Sequence, residues 1–356
     1  MRLSSVEVIP YALPFSRPYV TARGTLERRE MVLLRVRDED GVVGLGEAVP
    51  LSLRGGVTLT EVVRELEGWV ERQEDEGLPG PARCAVAVAR MDLLGRRAAD
   101  QGEGGDEAVP CNATLVAGEP EAVVADAEAW AADGFRTFKL KLGAESARDR
   151  DIGGPARTRG SQDVEQVRAV REALGSEVRI RVDANAAWDL ETAKLRLAEL
   201  EPYGIELAEQ PVGTLEELAE LSASTSIPLA ADESVASLGE AEEAAALGAC
   251  AYTGIKLSKV GGPEKALRIA DVLPAYITSA LDGPVGIAAG AQTALSLAET
   301  GRPERLHLAH GLATQRLLAS TIAAVECELR NGMLHLPPGP GLGVEIDDDA
   351  LQAHRL

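Results

Sequence analysis

The chain predicts a TIM-type (β/α) barrel of modified form, carried together with an α+β capping domain, and three observations lead there. Successive apolar runs stop at ionisable side chains: TFKLKLG brings Lys139 and Lys141, RIRVDAN Asp183, IELAEQP Glu209, PLAADES Asp232 and TGIKLSKVGG Lys256. The steps from Asp183 to Glu209, to Asp232 and to Lys256 are 26, 23 and 24 residues, the length of one strand, one helix and two loops. The 356 residues accommodate a barrel of roughly 200 to 250 residues beside a smaller domain. In such barrels catalytic side chains project from the carboxyl ends of several strands, so these charges are expected at one mouth.

Residues 1–108 lack the 25-residue cadence and are assigned to the capping domain. LSSVEVIPYALPF and EMVLLRVRDEDGVVGLGEAVP, with a turn at 38–41, read as an antiparallel meander. LTEVVRELEGWVERQ and ARCAVAVARMDLLGRRAADQ carry apolar residues at helical spacing. Between the first two runs, PFSRPYVTARGTLERRE (14–30) interrupts the strand pattern and reads as a surface loop or a lid that lends Arg23 to an anionic substrate. GEGGDE (102–107) reads as a linker. The barrel is placed at 109–322, with strands at CNATLV, TFKLKLG, RIRVDAN, IELAEQP, PLAADES, YTGIKLSKV, AYITSALDG and RLHLAHGL. The gap from Lys141 to Asp183 is 42 residues, which predicts an insertion at 143–162, rich in Gly, Ser, Arg and Asp and expected as a mobile loop at the mouth. The tail 323–356 is too short for a core of its own and is expected to return to the capping domain.

Composition narrows the function. Only 3 % of residues are aromatic against 45 % hydrophobic, so aliphatic side chains fill the core, as barrel layers require. A net charge of −21 argues against nucleic acid, because a phosphate backbone needs a cationic surface. No run of about 18 apolar residues suits a membrane span, and the start MRLSSVEVIPYALPF lacks a leader pattern, so the expectation is a cytoplasmic protein. Cys84, Cys111, Cys250 and Cys327 form no CxxC pair and read as buried thiols.

Side chains alternate along a strand, so Lys139 and Lys141 share a face, as do Arg181, Asp183 and Asn185. Two ammonium groups one pleat apart in a dry interior disfavour each other's protonation, which suits one of them to base catalysis. A lone KxK is more often a solvated edge, and a lone strand-end carboxylate more often a cap or a surface charge; the convergence of the set is what shifts the balance. Asp183, Glu209 and Asp232 are hard oxygen donors from three strands, which suits Mg²⁺; Mn²⁺ fits the same oxygens, and zinc is disfavoured without His or Cys. Lys256 lies one strand beyond, so amines would reach a chelated carboxylate substrate from both sides, one removing its α-proton to give an enediolate. Lys259 has the opposite parity to Lys256 and reads as an outward charge. His307 and His310 fall on opposite faces of a strand and read as structural. GVVGLGEA and KVGGPEK match neither a phosphate loop nor a dinucleotide fingerprint.

KLK at Lys139, DAN at Asp183, EQP at Glu209, ADES at Asp232 and IKLSKVGG at Lys256 resemble the enolase superfamily, in the subgroup typified by muconate lactonizing enzyme. The resemblance spans nearly the whole chain and implies an enolase-like barrel with a capping domain completed by the tail. It implies a Lys base paired with Mg²⁺. Within the subgroup, CNATL, TSALDGPVGIAAG and AHGLATQRLL are most similar to the o-succinylbenzoate synthase family of actinobacterial type. Carried over by position, Lys141 is base and then acid, Lys139 tunes it, and Lys256 stabilises the enediolate from the other side. Asp183, Glu209 and Asp232 hold the metal. Ser279 and Arg23 are implied as substrate contacts, with Arg181 and Asn185 as supports behind the ligands.

The implied reaction is Mg-dependent syn dehydration of 2-succinyl-6-hydroxy-2,4-cyclohexadiene-1-carboxylate to 2-succinylbenzoate, in menaquinone biosynthesis. N-succinylamino acid racemisation, or another racemase or epimerase activity of the subgroup, needs the same lysines and metal. Dipeptide epimerisation is disfavoured, because the eighth strand reads HLAHGL where the epimerases of the subgroup carry DxD. A non-catalytic barrel that binds metal or a partner is the weakest alternative. The partner implied is a small-molecule carboxylate, with a homo-oligomer in keeping with the family.

Overall fold

The computed structural model describes residues 2–21, 24–50, 56–98, 107–143, 161–299 and 308–356. Arg23, His307 and most of the expected 143–162 insertion lie outside the described residues.

Strands β1 (Leu3–Thr21), β2 (Gly24–Asp38) and β3 (Val43–Ala48) form an antiparallel meander. The turn between β2 and β3 is held by Asp38, whose Oδ1 accepts from the backbone N–H of Asp40 at 3.0 Å and of Val42 at 2.9 Å. The period of two on β2 splits its side chains between two cores. Val32, Leu34 and Val36 pack under the helices Leu59–Arg72 and Gly80–Ala98, against Leu66, Trp69 and Ala85, while Met31 and Leu33 face the barrel side. Thr58 and Glu61 close a capping box at the first of those helices, which satisfies N–H groups the helix cannot bond itself. A Cβ on Gly44 would lie 2.3 Å from the Ala89 carbonyl oxygen and one on Gly46 1.9 Å from that of Ala85, so these two glycines of GVVGLGEA serve close strand-to-helix packing.

The expectation of a loop at 14–30 is corrected. Pairing continues past the prolines, with Tyr19 opposite Leu26 and Thr21 opposite Gly24, and a register shift between Pro14 and Tyr19 absorbs them. An irregularity of this kind lets proline sit in a paired strand without a missing ladder bond.

The strand β4 (Ala108–Pro110) precedes seven parallel strands: β5 (Ala113–Leu115), β6 (Thr137–Lys141), β7 (Arg179–Asp183), β8 (Ile205–Glu209), β9 (Leu229–Ala231), β10 (Tyr252–Ile255) and β11 (Ala275–Ile277). They neighbour one another in sequence order. Residues 308–311 complete the ring: His310 bridges Cys111 on one side and Gly311 bridges Thr278 on the other, both parallel. Helices at Pro120–Ala132, Ser161–Leu174, Leu190–Leu200, Leu215–Ser222, Leu238–Leu247, Pro263–Val272 and Pro284–Glu299 cover the outside. Phe138, Leu140, Ile180, Val182, Ala208, Leu229, Ala231, Ile255 and Ile277 point out to those helices in the main core. The alternate residues Leu207, Ala230 and Tyr276, with Leu308, form a small separate cluster inside the ring.

In the tail, β12 (Ala323–Val325) pairs with β15 (Glu345–Ile346), and β13 (Glu328–Arg330) and β14 (Met333–His335) form a sheet with β4. The last helix, Asp348–His354, delivers the chain end to β1, where the Leu356 N–H donates to the Pro10 carbonyl at 3.0 Å. No described helix is long and apolar enough to cross a membrane.

Candidate active site at the barrel mouth

The alternation that sends Phe138 and Leu140 outward sends Lys139 and Lys141 into the ring, and the same parity on β7 and β8 brings Asp183 and Glu209 beside them. In parallel register Lys141 lies opposite Asp183, and Asp183 opposite Glu209. Asp232 follows β9 and Lys256 follows β10. Asp183 and Asp232 are 0 % exposed and Glu209 1 %, so the site is a buried row of carboxylates that requires positive charge nearby.

Lysines supply it. Lys139 Nζ donates to both Glu209 oxygens at 3.2 Å and lies 3.5 Å from Asp183 Oδ2. Lys141 Nζ donates to Asp183 Oδ2, and to Asn185 Oδ1 at 3.1 Å. Lys256 Nζ donates to Asp232 Oδ2. Burial pushes Asp183 upward, but the Lys141 and Lys139 ammoniums outweigh it and hold this carboxyl well below the usual range. Glu209 goes the other way: burial, then the Asp183 charge, raise it above its ordinary value despite Lys139. The carboxylates therefore feel one another strongly.

Among the described residues no three metal-ligating side chains already close around a common point, because each carboxylate is turned to an ammonium. The donor set nevertheless suits a hard divalent cation: three buried, mutually repelling carboxylates on adjacent strand ends, with no soft ligand among them.

Lys259 is where the sequence expectation fails. Its Nζ donates to the Asp232 carbonyl, and to Asp232 Oδ1 at 3.0 Å, with only 12 % of the side chain exposed. The strand ends at Ile255, and Lys256 is the N-cap of a helical turn, Leu257–Val260, closed by Gly261 at φ +92°. Past that point the period is about 3.6, not 2, so an i,i+3 pair shares a face. The glycine after KV was the available signal.

Other expected residues are placed as follows. Arg181 is 0 % exposed and lies deeper in the ring, where Nε donates to Glu206 Oε2 at 2.5 Å and Nη1 to the Ala309 carbonyl at 2.7 Å. A register shift between Ile180 and Arg181 on the β7–β8 ladder brings Glu206 to it. Asn185, at φ 48°, donates from Nδ2 to Glu233 Oε1 at 3.2 Å and supports Lys141. Ser279 makes no hydrogen bond to the three carboxylates among the described residues: its hydroxyl donates to Asp282 Oδ2 at 2.7 Å and accepts from Thr314 Oγ1 at 2.8 Å. His310 accepts from the Ile277 N–H through Nδ1 at 3.0 Å; burial and then Arg181 push it down to about 3, so it is neutral. Two residues escaped the sequence reading. Gln210 Oε1 accepts from the Asp232 N–H at 2.8 Å and fixes the backbone there. The Tyr276 hydroxyl donates to Glu209 Oε2 at 2.5 Å.

The capping sheet meets the barrel at a second buried carboxylate. Glu47 on β3 accepts from the Tyr11 hydroxyl at 2.9 Å and the Gly283 N–H at 2.7 Å. Burial, then the Asp282 charge, raise it to about 7. The folded protein thus binds a proton here that the unfolded chain, with a glutamate near ~4.3, has released. This contribution to stability falls as pH rises from about 4.3 to about 7 and is level above. Glu47→Gln is therefore expected to gain on the wild type between pH 5 and pH 8, as read from urea denaturation at each pH. A constant difference between the two proteins would refute it.

Residues 122–350 match the family model described as Enolase C-terminal domain-like. Residues 4–100 match that of the mandelate racemase / muconate lactonizing enzyme N-terminal domain. The o-succinylbenzoate synthase of Thermobifida fusca (strain YX) is 35 % identical over 289 residues, covering 79 % of this chain and 83 % of that one. The muconate lactonizing enzyme of Pseudomonas fluorescens, complexed with muconolactone, superposes with a TM-score of 0.85 at 28 % identity, over 100 % of this chain and 99 % of that one. The dipeptide epimerase of Enterococcus faecalis V583, complexed with Mg and the dipeptide L-Leu-L-Tyr, gives 0.84 at 26 % identity, over 97 % and 100 %.

Proposed function

The chain belongs to the enolase superfamily, in its muconate lactonizing enzyme subgroup, and from that premise we propose that it is an o-succinylbenzoate synthase. The reaction is syn dehydration of 2-succinyl-6-hydroxy-2,4-cyclohexadiene-1-carboxylate to 2-succinylbenzoate. The observation that carries the reading is the pair of ammonium groups, Lys141 on Asp183 and Lys256 on Asp232, flanking one buried carboxylate row. The similarity to the Thermobifida fusca synthase directs it to this substrate.

Asp183, Glu209 and Asp232 would hold Mg²⁺, with Mn²⁺ fitting the same oxygens. The cation, when bound, acidifies the α-proton of a coordinated carboxylate. Lys141 takes that proton at its Nζ, leaving an enediolate, and returns it to the hydroxyl that departs as water from the same face. Lys139 shares a face and a carboxylate with Lys141 and sets its electrostatic surroundings. Lys256 offsets the charge that develops on the substrate carboxylate from the other side. The ring becomes aromatic as the C–O bond breaks, which supplies much of the driving force. Arg23 and Ser279 are proposed as substrate contacts, the latter through the loop that Asp282 organises. The capping unit is proposed as 1–108 with 323–356, and the catalytic unit as 109–322.

One observation favours a second reading: lysines on both sides of the site are what a two-base racemisation of an N-succinylamino acid needs. Purified protein with Mg²⁺ is expected to turn over the cyclohexadiene acid, followed by absorbance of the aromatic product, while polarimetry follows the amino acid. Chelator should stop the dehydration and Mg²⁺ or Mn²⁺ restore it. No aromatic product would remove the synthase reading, and full activity in chelator would remove the cation site. Dipeptides are poor candidates, since 308–312 reads LAHGL and brings no carboxylate for an amine.

A further inference from the structure

We propose that Tyr276 is a positioning residue for Glu209, fixing this carboxylate for cation binding from across the barrel; the inference rests on the reading of Glu209 as a ligand. Tyr276 is carried by β11, three strands away from Glu209 on β8 in the ring order. Its side chain spans the interior and is 0 % exposed, and its hydroxyl donates to Glu209 Oε2 at 2.5 Å.

The surroundings are built to hold that ring. A Cβ on Gly254 of β10 would lie 3.1 Å from the phenol oxygen and 3.2 Å from Cζ, so the absence of a side chain there leaves the ring its path. The Arg181 guanidinium stands 5.1 Å from the ring centroid, and is itself held by Glu206 and the Ala309 carbonyl. A cation over an aromatic face is attractive in such dry surroundings. Leu207, Ala230 and Leu308 pack about the same ring.

The chemistry of a phenol suits the task. Lys139, which also bonds Glu209, neutralises it and would compete with a metal ion for it. A neutral O–H orients one oxygen and leaves the negative charge for a cation. Groups that orient a ligand without touching the metal typically govern its affinity by about 10–100-fold. Tyr276→Phe removes the donor and keeps the ring over Gly254.

The experiment is calorimetric titration of the full-length protein with Mn²⁺ and with Mg²⁺. Tyr276→Phe is expected to raise the metal dissociation constant about 10–100-fold, with kcat recovering to within about threefold of wild type at saturating metal. A merely structural role would not produce that split between affinity and kcat. A dissociation constant within twofold of wild type overturns the proposal. Should the Phe variant not fold, Gly254→Val, whose branches extend past a Cβ that already meets the phenol oxygen at 3.1 Å, is titrated instead, and an unchanged constant there has the same force. Glu209→Gln separates the two inferences: if it binds metal like wild type, Glu209 is no ligand and the underlying reading fails. If it loses binding while Tyr276→Phe does not, only the positioning role fails.

Discussion

Lys141→Arg is expected to fold, bind metal and substrate, and lose dehydration by about 10²–10⁴-fold, the usual contribution of a positioned general base. Arginine is the informative replacement because it preserves the positive charge beside Asp183, which is 0 % exposed, so the loss cannot be laid to a stranded carboxylate. What it cannot do is deprotonate near neutral pH. Lys141→Ala should lose as much activity and also some stability, since Lys139, at 3.5 Å from Asp183 Oδ2, is then that carboxylate's nearest described ammonium. The decisive readout is exchange of the substrate α-proton with deuterated solvent. Under the racemase reading, Lys256 would still exchange the opposite enantiomer in the Lys141 variants. Wild-type dehydration by Lys141→Arg would show that another group is the base.

Lys139→Met carries the largest expected effect on stability. The replacement is close in length and apolar, yet it leaves Glu209 without the ammonium that contacts both of its oxygens at 3.2 Å. Breaking a buried pair from one side costs about 3–5 kcal/mol, because the remaining charge is left uncompensated. Urea denaturation in chelator should show that loss. Adding Glu209→Gln should recover most of it, since the partner charge is then gone as well, and the double-mutant cycle measures the coupling directly. Saturating Mg²⁺ should narrow the gap between Lys139→Met and wild type, because the cation no longer competes with the Lys139 ammonium for Glu209 in the variant and so binds its folded form the more tightly. A loss under about 1 kcal/mol in chelator would mean that the Lys139–Glu209 contact contributes little.

Both expectations began in the sequence, and the reasons they were readable there are physical. A parallel barrel repeats one strand, one helix and two loops, so its strand-end positions recur at nearly constant intervals, as Asp183, Glu209, Asp232 and Lys256 do. Strand parity then assigns sides, and Lys139, Lys141, Arg181 and Asp183 all face inward as that rule requires. The rule fails wherever the backbone leaves the strand. At Lys256 the chain turns into a helix, and Lys259 swings onto Asp232. At Glu206 an extra residue re-aims the side chain onto Arg181. At Pro14 a register shift keeps a hairpin running where proline suggested its end.

By itself, then, the sequence determined the barrel, the order in which charges arrive at its mouth and the family to which they are similar, because these follow from periodicity along one chain. Only the tertiary structure decided which ammonium meets which carboxylate, that Glu47 and Asp282 lie together between capping sheet and barrel, and that Tyr276 reaches Glu209 over Gly254. Those contacts join residues 22 to 235 positions apart. They depend on the closure of the ring and on where each strand stops, quantities set by packing between elements and absent from any local pattern.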